Sequence, residues 1–321
     1  MKVAIVGASG LLGRCVVDVL KEKKIDCEIV AYTSQRSAGG QYLNNTFVPL
    51  DTKTICKADF AIFCAGSIVS KEWAKEFARL GCVVIDNSNA FRRCENVPLV
   101  VAEINASSID QNCKIISNPN CSTIQIALPL FYLSQLSAIK RVVVSTYQSA
   151  SGAGKFGLDD LDNGTTNKFA HILKDDLIPQ IDVALDDGST LEEDKICFEL
   201  KKILKAPHLA VSATAVRVPI HYCHGASVWV EFENSVDVQR ATQHLSHANG
   251  IIVEDDLKNN IYPLAKTATG KDEVFVGRLR KDRSCENGLC FWCVADNVRK
   301  GAATNAVQIM QYLIKQKNLP N

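Results

Sequence analysis

The sequence carries almost no excess charge: 36 Lys and Arg stand against 35 Asp and Glu, a formal net charge of +1. A nucleic-acid partner calls for a basic surplus or stripe, and neither is present. Long apolar runs are lacking too. They break within about ten residues, well short of the ~20 that a membrane-spanning helix needs. His221 with His224 has no second ligand pair nearby, and no metal site is expected. Internal repeats and low-complexity segments are absent. The first apolar strand pattern begins at Lys2, so no cleavable leader is expected.

Cysteine, by contrast, is abundant, at thirteen residues. A small secreted framework would spend them on disulfides. Here they are scattered over 321 residues, and Cys64, Cys82 and Cys293 lie inside apolar strand-like segments. Reduced core thiols in a cytoplasmic protein are the expectation. Apolar residues at 47% and charged residues at 22% fit a globular chain long enough for two domains.

The first third alternates in character. Apolar runs at Lys2–Val6, Glu28–Tyr32, Phe60–Cys64 and Cys82–Asp86 flank helix-like stretches at Leu11–Lys23 and Lys71–Leu80. That pattern predicts a parallel sheet with helices on both faces. A further run, Lys114–Ser117, leads into an apolar segment from Ile124 to Leu136. Beyond Lys140 longer strand candidates cluster at Arg141–Gln148, Val211–Pro219, Ala226–Glu233, Glu273–Arg280 and Leu289–Ala295. Only Glu193–Leu204 and Val238–Ala248 look helical among them, so a mixed sheet in an α+β domain is expected. The amphipathic stretch Gly301–Gln316 is expected to return to the first domain.

Gly7-Ala-Ser-Gly-Leu-Leu-Gly13 follows the first strand and opens the first helix. Glycines there permit a tight turn, and the helix N-terminus offers unpaired N–H groups to a pyrophosphate. Gly7, Ser9, Gly10, Leu11, Leu12 and Gly13 are therefore the dinucleotide candidates. The spacing is GxxGxxG rather than GxGxxG, so its position in a βαβ unit carries the reading. After the second strand comes Thr33-Ser-Gln-Arg-Ser-Ala-Gly39, without the carboxylate that would receive a ribose 2′-OH. Arg36 between Ser34 and Ser37 suits a 2′-phosphate, which points to NADP.

Asn118-Pro-Asn-Cys-Ser-Thr123 joins a strand to a helix-like segment. Most cysteines are small core residues. Cys121 is set apart by its polar loop and its place at a helix start, where the dipole favours thiolate. Asn120 beside it can donate to an oxyanion.

These segments, taken in order, resemble the aspartate-semialdehyde dehydrogenase family. The resemblance runs from Gly7–Gly13 through Asp86-Asn-Ser-Asn-Ala-Phe-Arg92, the Cys121 segment and Gln148-Ser-Ala-Ser-Gly-Ala-Gly154. It continues through Glu192-Glu-x-Lys195, Arg217-Val-Pro219 with His224, Gly270-Lys-Asp272 and Asp296-Asn-Val-Arg-Lys-Gly-Ala-Ala303. It implies an α/β Rossmann-like dinucleotide-binding domain with a parallel sheet, residues 1–120, completed by a C-terminal helix within 297–321. Residues 121–296 would form an α+β catalytic and dimerisation domain with a mixed sheet.

The implied reaction is NADPH-dependent reduction of L-aspartyl 4-phosphate to L-aspartate 4-semialdehyde and phosphate, through a thioester on Cys121. That step serves lysine (by way of diaminopimelate), threonine and methionine biosynthesis. By the same resemblance His224 is the acid/base group and Gln148 orients the acyl-enzyme. Arg217 clamps the α-carboxylate and Glu192 meets the ammonium. Lys195, Arg92 and Asn120 serve the phosphate. Ser151, Gly152 and Asn297 approach the nicotinamide. The implied assembly is a homodimer, or a dimer of dimers.

Read alone, Glu192-x-x-Lys195 is an ordinary surface ion pair and the Ser151–Gly154 loop a flexible turn. The sequence also departs from the family. Cys223-His-Gly225 replaces its common Gly-His-Ser, and Glu199-Leu200 its Glu-Thr. The alternatives are an N-acetyl-γ-glutamyl-phosphate reductase, disfavoured because an acetylated nitrogen offers Glu192 no charge, and a non-catalytic paralogue. The second is disfavoured by the joint presence of Cys121, Gln148, Arg217 and His224.

Overall fold

The structure, a computed structural model, describes residues 1–316. The chain divides into two compact units, Met1–Asn120 with the segment from Ala302 onward, and Cys121–Gly301.

In the first unit β1 (Lys2–Val6), α1 (Leu11–Glu22) and β2 (Glu28–Thr33) form the opening βαβ turn. A short hairpin of β3 (Gln41–Tyr42) and β4 (Asn45–Pro49) follows, then β5 (Phe60–Phe63), α2 (Ser67–Arg79), β6 (Val83–Asp86), α3 (Ala102–Asn105) and β7 (Ile115–Ser117). The seven strands run in the order β3-β4-β2-β1-β5-β6-β7, parallel except for the β3–β4 pair. Strands buried on both faces read as unbroken apolar runs, which is why β1, β5 and β6 are legible in the sequence. One face is covered by α1 and by α9 (Thr304–Gln316), whose Val307, Met310 and Ile314 join Val16, Val19 and Leu20 in one core. The final stretch thus packs on this unit, as its pattern predicts, while 317–321 of the expected C-terminal element lie outside the described residues. The other face is closed by Ala74 and Phe77 of α2, with Phe77 edge-on to Tyr32 and Phe63.

The second unit holds α4 (Cys121–Ser134), β8 (Ile139–Gln148), α5 (Gly154–Asn163), α6 (Leu191–Ile203), β9 (Ala210–Arg217) and β10 (His224–Phe232). The remaining elements are α7 (Val238–Ser246), β11 (Ile251–Val253), α8 (Ala265–Ala268), β12 (Val274–Lys281) and β13 (Gly288–Ala295). Its sheet is mixed, ordered β11-β12-β13-β10-β8-β9, with β8–β9 and β11–β12 parallel and the rest antiparallel. Helix α4 is apolar nearly all round and is buried against α6, α7 and the sheet. The sequence pattern does not anticipate the β3–β4 hairpin, α3, α5, β11 or α8, and α2 begins at Ser67 rather than Lys71. In the Ser151–Gly154 loop, where a flexible turn is the plain reading, a 3-10 turn over Ala150–Ala153 runs into α5.

Among the described residues no helix is long and apolar enough to cross a membrane, and no group of three or more His, Cys, Asp or Glu could hold a metal. The core thiols Cys82 and Cys293 are fully buried, and burial pushes both thiol pKa values up.

Candidate active site

Parallel pairing sets the nucleotide loop of the first unit. The N–H groups of Gly7 and Ala8 both donate to Tyr32 O at 2.9 Å, which closes the turn, and Gly7 takes φ +93°. A Cβ on Gly13 would lie 2.6 Å from Ala8 Cα, so only glycine lets the helix start this close to the loop. Gly10 occupies the N-cap of α1 without a side-chain cap, leaving the first-turn N–H groups to an anion. Ser9 Oγ bonds Thr33 Oγ1 at 2.6 Å, next to the exposed Ser34 and Arg36; Ser37 completes that turn. This cradle fits a dinucleotide, with Arg36 and the two serines available to a 2′-phosphate.

The same unit carries Arg92 and Asn120, both buried. Arg92 Nη2 donates to Asn87 O at 2.8 Å. Asn118 N–H donates to Asp86 O at 2.8 Å, and its side-chain amide joins Asn87 Oδ1 at 3.0 Å to Asn305 Nδ2 at 2.6 Å. Three asparagines thereby fix the loop that leads into Cys121.

In the second unit, sheet register does the assembly. Gln148 ends β8, Arg217 ends β9 and His224 starts β10; Gln148 pairs with Arg217 on one side and with His224 on the other. One strand end therefore places three of the predicted residues in a row. Cys121 is the first residue of α4, as predicted. A Cβ on Gly301 would sit 2.8 Å from Cys121 Cβ, so glycine is needed behind this residue.

His224 is fully buried. Its Nδ1 receives the Ser149 backbone N–H at 3.0 Å, a donor-only group, so the neutral ring carries its proton on Nε2. Nε2 is buried without a partner, ready to donate. Burial, with the Arg217 cation beside it, pushes the imidazole pKa down to about 3, against the pull of Glu192. The resting ring is thus neutral, well below the near-neutral titration its reference value suggests.

Arg217 is also buried, with Nη1 donating to Ser149 O at 2.7 Å. Burial draws its pKa down, while charge on Glu192 and on Cys121 pushes it back up, so Cys121 lies within the field of the guanidinium. Gly152 closes over both side chains: a Cβ there would fall 2.7 Å from Arg217 Nη1 and 3.1 Å from His224 Nε2.

Glu192 and Lys195 reach the site because α6 starts with a reciprocal cap. Glu193 Oε2 accepts from Thr190 N–H at 2.7 Å, while Thr190 Oγ1 accepts from Glu193 N–H. Glu192 is buried, receives Gln148 Nε2 at 3.1 Å on Oε1, and pairs with Lys195 through Oε2 at 3.0 Å. That geometry is no surface ion pair. Burial works against the Lys195 charge, but Glu192 and Asp182 outweigh it and hold the ammonium pKa above its usual value.

Ser151 and Asn297 are brought together, but with each other. Asn297 Oδ1 accepts from Ser149 Oγ at 3.1 Å, Ser151 Oγ at 3.2 Å and Cys223 N–H at 3.0 Å, and its Nδ2 donates to Ser151 Oγ at 3.0 Å. Its amide braces the turn before His224. Two residues of the site went unmarked in the sequence: Ser149, which touches His224, Arg217, Ser151 and Asn297, and Asp182, which pairs with Lys195. Ser149 lies inside the Gln148–Gly154 segment, yet nothing local distinguishes it from Ser151. Asp182 joins only through tertiary folding.

Sequence comparison adds a second line of support. The family described as "Semialdehyde dehydrogenase, NAD binding domain" matches residues 2–112, and "Semialdehyde dehydrogenase, dimerisation domain" matches 129–300. The chain is 46% identical to the aspartate-semialdehyde dehydrogenase of Aquifex aeolicus over 98% of both chains. Among solved structures, aspartate semialdehyde dehydrogenase II of Vibrio cholerae superimposes with a TM-score of 0.93 at 39% identity, covering 98% of each chain. The same enzyme solved in complex with ASA gives a TM-score of 0.93 at 38% identity over 98% of each chain.

Proposed function

The chain belongs to the aspartate-semialdehyde dehydrogenase family, and we propose that it reduces L-aspartyl 4-phosphate to L-aspartate 4-semialdehyde with NADPH through a Cys121 thioester. The observation that carries this reading is the row Gln148, Arg217 and His224 at one sheet end, with the Cys121 thiol in the field of Arg217.

Arg217 forks the substrate α-carboxylate, and Glu192 receives its ammonium. Both charges are buried, so the loss of either partner is costly, which favours this zwitterion over an N-acylated analogue. Cys121 thiolate attacks the acyl carbon, the C–O bond to phosphate breaks, and the departing phosphate takes up a proton. Lys195, Arg92 and Asn120 are the phosphate's partners. Gln148 orients the thioester. Gly7, Ser9, Gly10, Leu11, Leu12 and Gly13 with Ser34, Arg36 and Ser37 would hold the dinucleotide, whose nicotinamide would supply a hydride to the thioester carbon. His224 Nε2–H then stabilises the oxyanion of the tetrahedral adduct, whose collapse gives aldehyde and returns the electron pair to sulfur. Ser151 and Gly152 shape this pocket, and Asn297 braces it.

A homodimer through the second unit and a reducing cytoplasmic setting complete the reading. The match to a dimerisation domain supports the first, and the buried thiols the second. The test is phosphate-dependent reduction of NADP by aspartate semialdehyde, run beside NAD and beside the N-acetylglutamate analogue. Faster turnover with the acetylated substrate would reverse the substrate assignment, and preference for NAD would reverse that of Arg36.

A further inference from the structure

A carboxylate removed from water needs hydrogen-bond donors around it. Asp160 of α5 is fully buried, and its two oxygens accept four hydrogen bonds. Oδ1 receives Thr165 Oγ1 at 2.6 Å and Asn167 N–H at 2.9 Å. Oδ2 receives Lys168 N–H at 2.6 Å and Phe169 N–H at 3.0 Å. Burial alone would raise its pKa, but these donors prevail and keep the carboxyl well below the usual carboxylate range. Three consecutive N–H groups folded onto one anion fix the backbone of that loop. The sequence permits the fold-back because Gly164 ends α5 in the left-handed conformation, with φ +65°.

The last residue of the anchored loop is Phe169, whose ring centroid lies 5.6 Å from the Arg217 guanidinium carbon. That is within cation–π reach. Gly157 makes room for the ring, since a Cβ there would sit 3.1 Å from Phe169 Cζ. Arg217 thus has one nitrogen tied to Ser149 O and its guanidinium close to an aromatic ring. Phe169 and Arg217 share the wall of a cavity of about 510 Å³ with Lys168, Gln180 and Asp182.

We propose that Phe169, held by Asp160, is a positioning residue that sets the plane of the Arg217 fork and with it the affinity for the substrate α-carboxylate. This rests on the reading of Arg217 as the carboxylate clamp. The experiment is steady-state kinetics on the full-length enzyme carrying Phe169→Leu, Phe169→Tyr, Asp160→Asn or Arg217→Lys. Phe169→Leu raises KM for aspartate semialdehyde roughly fivefold to thirtyfold. Its kcat and its KM for phosphate and NADP stay within about twofold of the parent. Phe169→Tyr keeps the ring and restores the parental KM, and Asp160→Asn reproduces the Phe169→Leu defect. If Asp160→Asn does not fold, Phe169→Leu decides alone. An unchanged semialdehyde KM in Phe169→Leu, beside a raised one in Arg217→Lys, overturns the proposal and leaves the clamp standing. An unchanged KM in Arg217→Lys removes the clamp and the proposal together.

Discussion

Lys195 Nζ lies closer to Asp182 Oδ2, at 2.6 Å, than to its helix neighbour Glu192, at 3.0 Å. The ammonium assigned to phosphate is therefore held between two carboxylates. Glu192 is nearly inaccessible and is also tied to Gln148, so it stays in place. Asp182 is a third exposed and sits in a left-handed backbone conformation on a loop, so it is the partner able to yield. On the proposed reading of Lys195, phosphate and Asp182 compete for its ammonium.

Removing that competing charge should help phosphate. Asp182→Asn is expected to lower KM for phosphate about threefold to tenfold in the phosphorylating direction, on the order of 1 kcal/mol. Initial rates against phosphate concentration check this. A raised phosphate KM would mean that Asp182 holds Lys195 in position instead of competing for it.

His224 gives a pH dependence whose sign is fixed. Its native pKa is lowered to about 3 from 6.5, so between those values the unfolded chain binds more protons than the folded one. Stability therefore falls as pH drops through the unfolded value, at up to about 1.4 kcal/mol per pH unit. His224→Asn removes this contribution, and between pH 6.5 and about pH 5 it should lose about 1.5 kcal/mol less stability than the parent. Denaturant melts at the two pH values test it. Equal losses in both proteins would show that His224 titrates normally in the fold.

Gly152 leaves no space above Arg217 and His224. Gly152→Ala puts a methyl group 2.7 Å from Arg217 Nη1 and 3.1 Å from His224 Nε2, both buried and unable to move away freely. The expected result is a fall in kcat/KM for aspartate semialdehyde of about tenfold to a hundredfold, or ~1.4–2.8 kcal/mol of transition-state stabilisation. The melting temperature should shift little. Parental kcat/KM would show that the loop relaxes around the added carbon.

How far this architecture is legible depends on the distance over which each signal acts. The buried strands β1, β5 and β6 are visible as apolar runs, and Cys121 stands out by its polar loop at a helix start, whereas Gln148, Arg217 and His224 are singled out only by resemblance to the family. Helix α5 is hidden because Gly154 and Gly157 depress helix propensity. Gly157 is required for another reason, since a Cβ there would press on Ala150 O and Phe169. The β3–β4 hairpin is hidden because its turn uses Leu43 at φ +44° beside Asn44 at φ +67°, and leucine is no signal for that conformation. Ser149 and Asp182 act only through contacts made after folding.

The Cys223-His-Gly225 departure from the family's usual Gly-His-Ser also has a physical basis, and it supplies a prediction. A side chain on Gly225 would collide with the Trp292 ring, so this chain has filled that space from β13. Cys223 adopts φ +70°, a conformation in which glycine is unstrained and other residues pay roughly 1–2 kcal/mol. The conformation is held by its N–H donating to Asn297 Oδ1 and by Sγ packing at 3.3 Å from Thr269 Oγ1. Cys223→Ala and Cys223→Gly both lose the sulfur, but only glycine relieves the backbone. Despite its greater unfolded-state entropy, Cys223→Gly should therefore be the more stable of the two, by about 0.5–1 kcal/mol. Paired thermal melts decide it, and alanine proving the more stable would show that this turn carries no strain.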